Sequence, residues 1–159
     1  MNEFSVENKV AFITGANGLI GREVADVFAS ASANLILLDS AKGVNLDNYA
    51  KKISKKYLVR VKVFNVDITD VEQIDKAVLE SVADFGKIDI LINLAAIDAK
   101  FDENIDEIPK TAFEDFPMDL WNKSIDVNMT GTFVVTQRIV RQMLKQKSGN
   151  IINVASTYS

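Results

Sequence analysis

The chain has 159 residues, 48% of them hydrophobic and 25% charged, a composition that suits one globular domain with a sizeable core. Its formal net charge of -4 argues against nucleic acid as a partner, because meeting phosphates requires clustered Lys and Arg that this balance does not provide. The absence of Cys and His rules out disulfides and removes the usual ligands of zinc and copper, so no metal is expected.

Met1 to Lys9 is charged and lacks the apolar core of a signal peptide, and no apolar run approaches a bilayer span, so a cytoplasmic chain without a membrane partner is expected. Val10 to Ile13 reads as a short buried strand ending in a glycine loop. Ile20, Val24, Val27, Phe28 and Ala31 then recur at helical spacing and predict a helix buried along that face. Leu35 to Leu38 is a second strand, ending at Asp39, after which Leu46, Tyr49 and Ile53 mark a helix in a lysine-rich segment. Val59, Val61 and Phe64 make a third strand leading into Asp67. Thr69-Asp70-Val71-Glu72 is like a capping box, opening a helix whose stripe is Val71, Ile74, Val78, Val82 and Phe85 and whose stop is Gly86.

Ile88 to Ile92 is a fourth strand, running into Asn93-Leu94-Ala95-Ala96. The acidic stretch from Asp98 to about Met118 holds both prolines, Pro109 and Pro117, and is read as a loop-rich insertion on the side of the sheet where ligands bind. From Asp119 onward, Trp121, Ile125, Val127, Phe133, Val134, Ile139 and Met143 predict one long helix that stops within Lys145 to Gly149. Ile151, Ile152 and Val154 form a fifth strand. With no repeat or linker, this alternation predicts a single α/β domain over 1–159: a doubly wound parallel sheet with helices on both faces.

Thr14-Gly15-Ala16-Asn17-Gly18-Leu19-Ile20-Gly21 sits between the first strand and first helix, where a nucleotide fold places its phosphate loop. Glycines there let the backbone approach a pyrophosphate, while the amides and positive dipole end of the helix offset its charge. Asp39, at the end of the second strand and 18 residues after Gly21, is placed to accept hydrogen bonds from the ribose diol of a dinucleotide. The same carboxylate repels a 2′-phosphate, so NAD is expected over NADP, with Lys42 nearby as a contrary sign.

With these landmarks the chain resembles the short-chain dehydrogenase/reductase family, and the expected fold is Rossmann-type. Four further residues fall in the family's order. Asp67, in Val66-Asp67-Ile68-Thr69-Asp70, matches the acidic residue that meets the adenine ring, so the resemblance places Asp67 and Ile68 at the cofactor. Asn93, in Asn93-Leu94-Ala95-Ala96, matches the Asn-Asn-Ala-Gly element that steadies the sheet beside the cofactor, bringing Ala95 with it. Asn128, in Asp126-Val127-Asn128-Met129-Thr130-Gly131, matches the asparagine supporting a proton-relay water, and Ser156 the catalytic serine. Each also has an ordinary structural reading: Asp67 as a cap, the asparagines as buried amides, Ser156 as a strand-end hydroxyl.

The match is uneven. The glycine spacing Gly15, Gly18, Gly21 is more usual in the family's extended branch of nucleotide-sugar epimerases and dehydratases, whereas Val127-Asn128 and Asn150 to Ser156 resemble the compact branch. Leu94 and Ala96 replace the second asparagine and the glycine of Asn-Asn-Ala-Gly. Asn153 to Tyr158 and Phe113 to Asn122 are similar to bacterial members that modify flagellin or polysaccharide sugars.

The family's chemistry, implied by this resemblance, is hydride transfer between a secondary alcohol or ketone, including sugar-derived ones, and the nicotinamide. It relies on a Tyr-x-x-x-Lys pair in which the lysine lowers the pKa of the tyrosine. Tyr49 and Tyr57 are followed at that spacing by Ile53 and Val61, and the position after Tyr158 lies beyond Ser159. The chain is therefore expected to be the cofactor-binding front of such an enzyme, truncated after the fifth strand and inactive by itself, with the full-length protein a homo-oligomer. Extended-branch epimerase or dehydratase chemistry and a non-catalytic dinucleotide-binding module are the alternatives.

Overall fold

The computed structural model describes residues 5–40, 46–97 and 113–156. Strands β1 (Val10–Thr14), β2 (Asn34–Asp39), β3 (Val61–Asn65), β4 (Ile90–Asn93) and β5 (Asn150–Asn153) form one parallel sheet in the order β3-β2-β1-β4-β5. The intervening helices are α1 (Leu19–Ser30), α2 (Leu46–Tyr57), α3 (Val71–Phe85), α4 (Met118–Ile125) and α5 (Thr132–Gln146).

Alternation along β1 shows how the sheet is covered twice. Val10 and Phe12 pack with Ile36, Leu38, Ile74, Ala77, Leu91, Val135 and Ile139, which is the α3 and α5 side. Ala11 and Ile13 face the other way, onto Ala25, Ala29, Leu35, Leu37, Ala50 and Ile53 of the α1 and α2 side. A strand shows successive side chains to opposite faces, so a run apolar at every position requires helices on both. The expected doubly wound α/β sheet is the one formed.

From β1 the chain builds outward through β2 to β3, then returns to place β4 and β5 on the other side of β1. This reversal opens a crevice at the carboxyl ends of β1 and β4, where Thr14 and Asn93 are register partners. The opposite end is held by Asp89, whose buried Oδ2 accepts from the Val10 amide at 2.9 Å and pairs with Lys87 at 2.8 Å.

Several local expectations need correction. The buried face of α1 is Gly21, Ala25 and Ala29, while Ile20 and Val27 are exposed. Small residues let α1 lie close against the strands, with Val24 and Phe28 of the expected stripe packing partly buried at the edge of that core. Helix α3 is capped by Asp70 rather than from Thr69. The Asp70 carboxylate accepts from the Gln73 amide at 3.1 Å and from Gln73 Nε2 at 2.6 Å. Gly86 does end this helix, at φ 79°.

The long helix predicted from Asp119 is continuous but not uniform: between α4 and α5, Asp126–Gly131 winds as a π turn. It ends with Lys147 in the left-handed conformation, φ 54°. Gly149 makes room for the Met143 side chain, since a Cβ there would lie 2.4 Å from Met143 Cγ and Sδ and force that side chain to move. Of the expected 98–118 insertion, residues 98–112 lie outside the described residues; the remainder holds one 3₁₀ turn, Phe113–Asp115, and the first residue of α4. Among the described residues no helix is long and apolar enough to cross a membrane, and no cluster of carboxylates suits a metal ion.

Candidate functional site

The loop after β1 is built by close backbone contacts. Buried Thr14 accepts hydrogen bonds at its Oγ1 from the amides of Leu94 and Ala95, both at 3.1 Å, fastening the end of β1 to the segment after β4. Gly15 follows at φ 64°, and a Cβ on it would lie 2.7 Å from the Ala95 nitrogen. At Gly21 a Cβ would lie 2.1 Å from the Gly15 carbonyl oxygen. Both outer glycines are therefore demanded by packing, whatever binds there.

Gly18 differs. It is the N-cap of α1, extended at φ -65° and ψ 165°, and a Cβ there would meet only the Gly15 oxygen at 3.4 Å among the described residues. Among those residues no side chain caps α1, and Leu19 and Ile20 in its first turn are 90% and 62% exposed. An uncapped first turn presents amides and the positive end of the helix dipole at the crevice, which suits an anion such as a pyrophosphate.

Asp39 closes the crevice at the end of β2. Its Oδ2 accepts from the Asn17 amide at 2.9 Å, while the Ala16 amide bonds the Leu38 carbonyl at 3.0 Å. Arg22, unremarked in the sequence reading, reaches back from α1 and donates to both oxygens of Asn17: Nε to the carbonyl at 3.1 Å, Nη2 to Oδ1 at 2.6 Å. Tyr49 of α2 donates to the Arg22 carbonyl, and its ring centroid lies 5.0 Å from the guanidinium carbon. No regular spacing signals these contacts, because Arg22, Tyr49 and Asn17 meet only when α2 packs beside α1.

Burial, followed by the charge of Asp26, raises the Tyr49 pKa from 10.0 to about 12. The unfolded chain releases that proton first. The stabilisation is therefore complete below pH 10 and is lost as pH rises from about 10 toward about 12. Urea unfolding of Tyr49→Phe across this range is expected to show a shallower alkaline fall than the parent protein; equal slopes would exclude Tyr49 as its source.

The remaining predicted residues divide between the crevice and the surrounding frame. Asp67 is exposed and forms a turn, its Oδ1 accepting from the Thr69 amide at 2.9 Å and the Thr69 hydroxyl at 2.8 Å. The Ile68 side chain is buried in the core, where a Cβ on Gly131 would lie 2.6 Å from its Cγ1. Asn93 bridges three elements, its Nδ2 donating to Asn153 Oδ1 at 2.8 Å and Thr136 Oγ1 at 3.1 Å. Its own Oδ1 is buried without a partner among the described residues. Asn128, inside the π turn, grips Ile97 twice: Oδ1 accepts from the Ile97 amide at 2.8 Å and Nδ2 donates to the Ile97 carbonyl at 3.0 Å. Ser156 is exposed just past β5.

A family model described as short chain dehydrogenase matches residues 9–159. The chain is 34% identical over 157 residues to an NAD-dependent glycerol dehydrogenase of Listeria innocua, covering 99% of this chain and 56% of that protein. It is 31% identical over 159 residues to a 2-dehydro-3-deoxy-D-gluconate 5-dehydrogenase of Pseudoalteromonas atlantica, covering 98% and 57%. Among solved structures, NAD+-bound xylitol dehydrogenase superposes with a TM-score of 0.81 at 32% identity, covering 95% of this chain and 54% of that one. The chain thus spans just over half the length of these relatives.

Proposed function

The chain belongs to the short-chain dehydrogenase family, and on that premise we propose that it is the cofactor-binding part of an NAD-dependent oxidoreductase acting on a secondary alcohol of a small polyhydroxylated compound. One observation carries the reading: the open first turn of α1 and the Asp39 carboxylate meet across Asn17 at the mouth of the crevice. The residues fit a dinucleotide. Gly15 and Gly21 draw the backbone in tightly, and Gly18 leaves room where a side chain would intrude. Asp39 then takes the ribose diol and disfavours a 2′-phosphate, which selects NAD over NADP.

When bound, NAD supplies the hydride acceptor. Ser156 donates a hydrogen bond to the substrate oxygen. Asn128 acts through the backbone it holds at Ile97, keeping the segment after β4 in place beside Ala95 and supporting a relay water. Asp67 and the backbone at Ile68 border the adenine. Within residues 1–159 neither Tyr49 nor Tyr57 has a lysine four positions on, so neither is assigned the proton-transferring role. The polyol and sugar-acid names of the relatives support a hydroxylated substrate.

Calorimetric titration with NAD and NADP tests the reading. Binding of NAD at least about tenfold tighter than NADP is expected; equal affinities, or no binding of either, would overturn it.

A further inference from the structure

Resting on the reading of this crevice as the NAD site, we propose that Arg22 is a positioning residue for recognition of the adenine-side ribose, acting through Asn17 on Asp39. The contacts form a relay across three segments. Tyr49 holds Arg22 by its ring and by a hydrogen bond to the Arg22 carbonyl. Arg22 fixes Asn17 by two donors on two oxygens, one on the backbone and one on the side chain. Asn17 then presents its amide to Asp39 Oδ2 at 2.9 Å.

Two oxygens of one residue held by one planar fork leave that residue little freedom to rotate, which a single bond would not achieve. The orientation matters because Asn17 carries the amide that Asp39 Oδ2 accepts, in a loop where Gly15 and Gly18 on either side have no side chains to pack. An Asn17 amide free to turn would let the carboxylate rotate away from the geometry needed by two ribose hydroxyls. Arg22 is half-buried, with its fork facing the loop, so its role is to hold the receptor for the ribose in advance of binding. The adenine-side specificity of the crevice thus depends on α2, which packs Tyr49 and Tyr57 against Arg22 and Asp26 of α1.

The test is a double-mutant cycle on the full chain, with Arg22→Ala and Asp39→Ala made singly and together and NAD affinity measured by calorimetry. Arg22→Ala is expected to weaken NAD binding about tenfold when Asp39 is present and less than about twofold when Asp39 is already alanine. Equal losses in both backgrounds would overturn the proposal, showing that Arg22 touches the cofactor directly or supports the fold at large. Arg22→Lys, which keeps the charge but not the fork, is expected to bind nearly as weakly as the alanine variant, and parental affinity would likewise overturn it. Amide exchange without ligand gives a second readout: the Asn17 amide should lose about tenfold protection in Arg22→Ala, and unchanged protection counts against the relay. Failure of the parent protein to bind NAD would instead remove the underlying reading, even with the Asn17 protection pattern intact.

Discussion

Gly21→Ala is expected to lower the free energy of unfolding by about 3 kcal/mol and to abolish measurable NAD binding. The added Cβ would stand 2.1 Å from the Gly15 carbonyl oxygen and 2.8 Å from Ala16 Cα, both backbone atoms. Neither can turn aside as a flexible side chain would. Relief requires α1 to lift from the sheet or the loop to unwind, and either displaces Ala25 and Ala29 from the core they fill. Gly18→Ala provides the contrast, because its Cβ would meet the Gly15 oxygen at an ordinary 3.4 Å and its φ is negative. That variant is expected to unfold within about 0.5 kcal/mol of the parent while weakening NAD binding. Urea unfolding and calorimetry on the two proteins check the pair, and parental stability in Gly21→Ala would show that the loop is not packed as described.

Asn128→Ala is expected to destabilise the protein by about 2 kcal/mol, because the Ile97 amide and carbonyl lose both partners at once. A sharper version is Asn128→Asp. An ionised carboxylate can still accept from the Ile97 amide but faces the Ile97 carbonyl oxygen without a proton to donate. At neutral pH this variant should be no more stable than the alanine variant, and it should recover part of the loss in acid as the carboxyl becomes a donor. Unfolding at the two pH values, with exchange of the Ile97 amide, decides the matter. An Ile97 amide that stays protected in Asn128→Ala would show that the clamp is not what holds this segment.

The π turn gives the clamp its geometry. One residue more per turn shifts the helix face, bringing Asn128 to Ile97 and Gly131 to Ile68 within one stretch. At Gly131 a Cβ would lie 2.6 Å from Ile68 Cγ1, so a larger residue there requires the Ile68 side chain to shift. Apolar spacing from Trp121 to Met143 predicts an unbroken α-helix because it records which residues are oily, not where a hydrogen bond is displaced. The deviation is set by partners on β3 and β4 loops far away in sequence.

Hydrophobic period and glycine placement were enough to determine the strand-helix order, the parallel sheet with both faces covered, and the glycine loop opening α1. These follow from local properties: a strand apolar on both faces needs two layers, and a glycine between strand and helix admits a turn and a close approach. Asp39 was singled out by its place at the end of the second strand, Asn93 and Asn128 only through the family resemblance. Tertiary structure decided the rest. It chose Gly21, Ala25 and Ala29 over Ile20 and Val27 as the buried side of α1, placed the cap of α3 on Asp70, and joined Arg22 and Tyr49 to Asn17 and Asp39. Each of those outcomes depends on how near two backbones come or which distant polar group lies within hydrogen-bond reach, and neither distance is carried by the periodicity of a single chain.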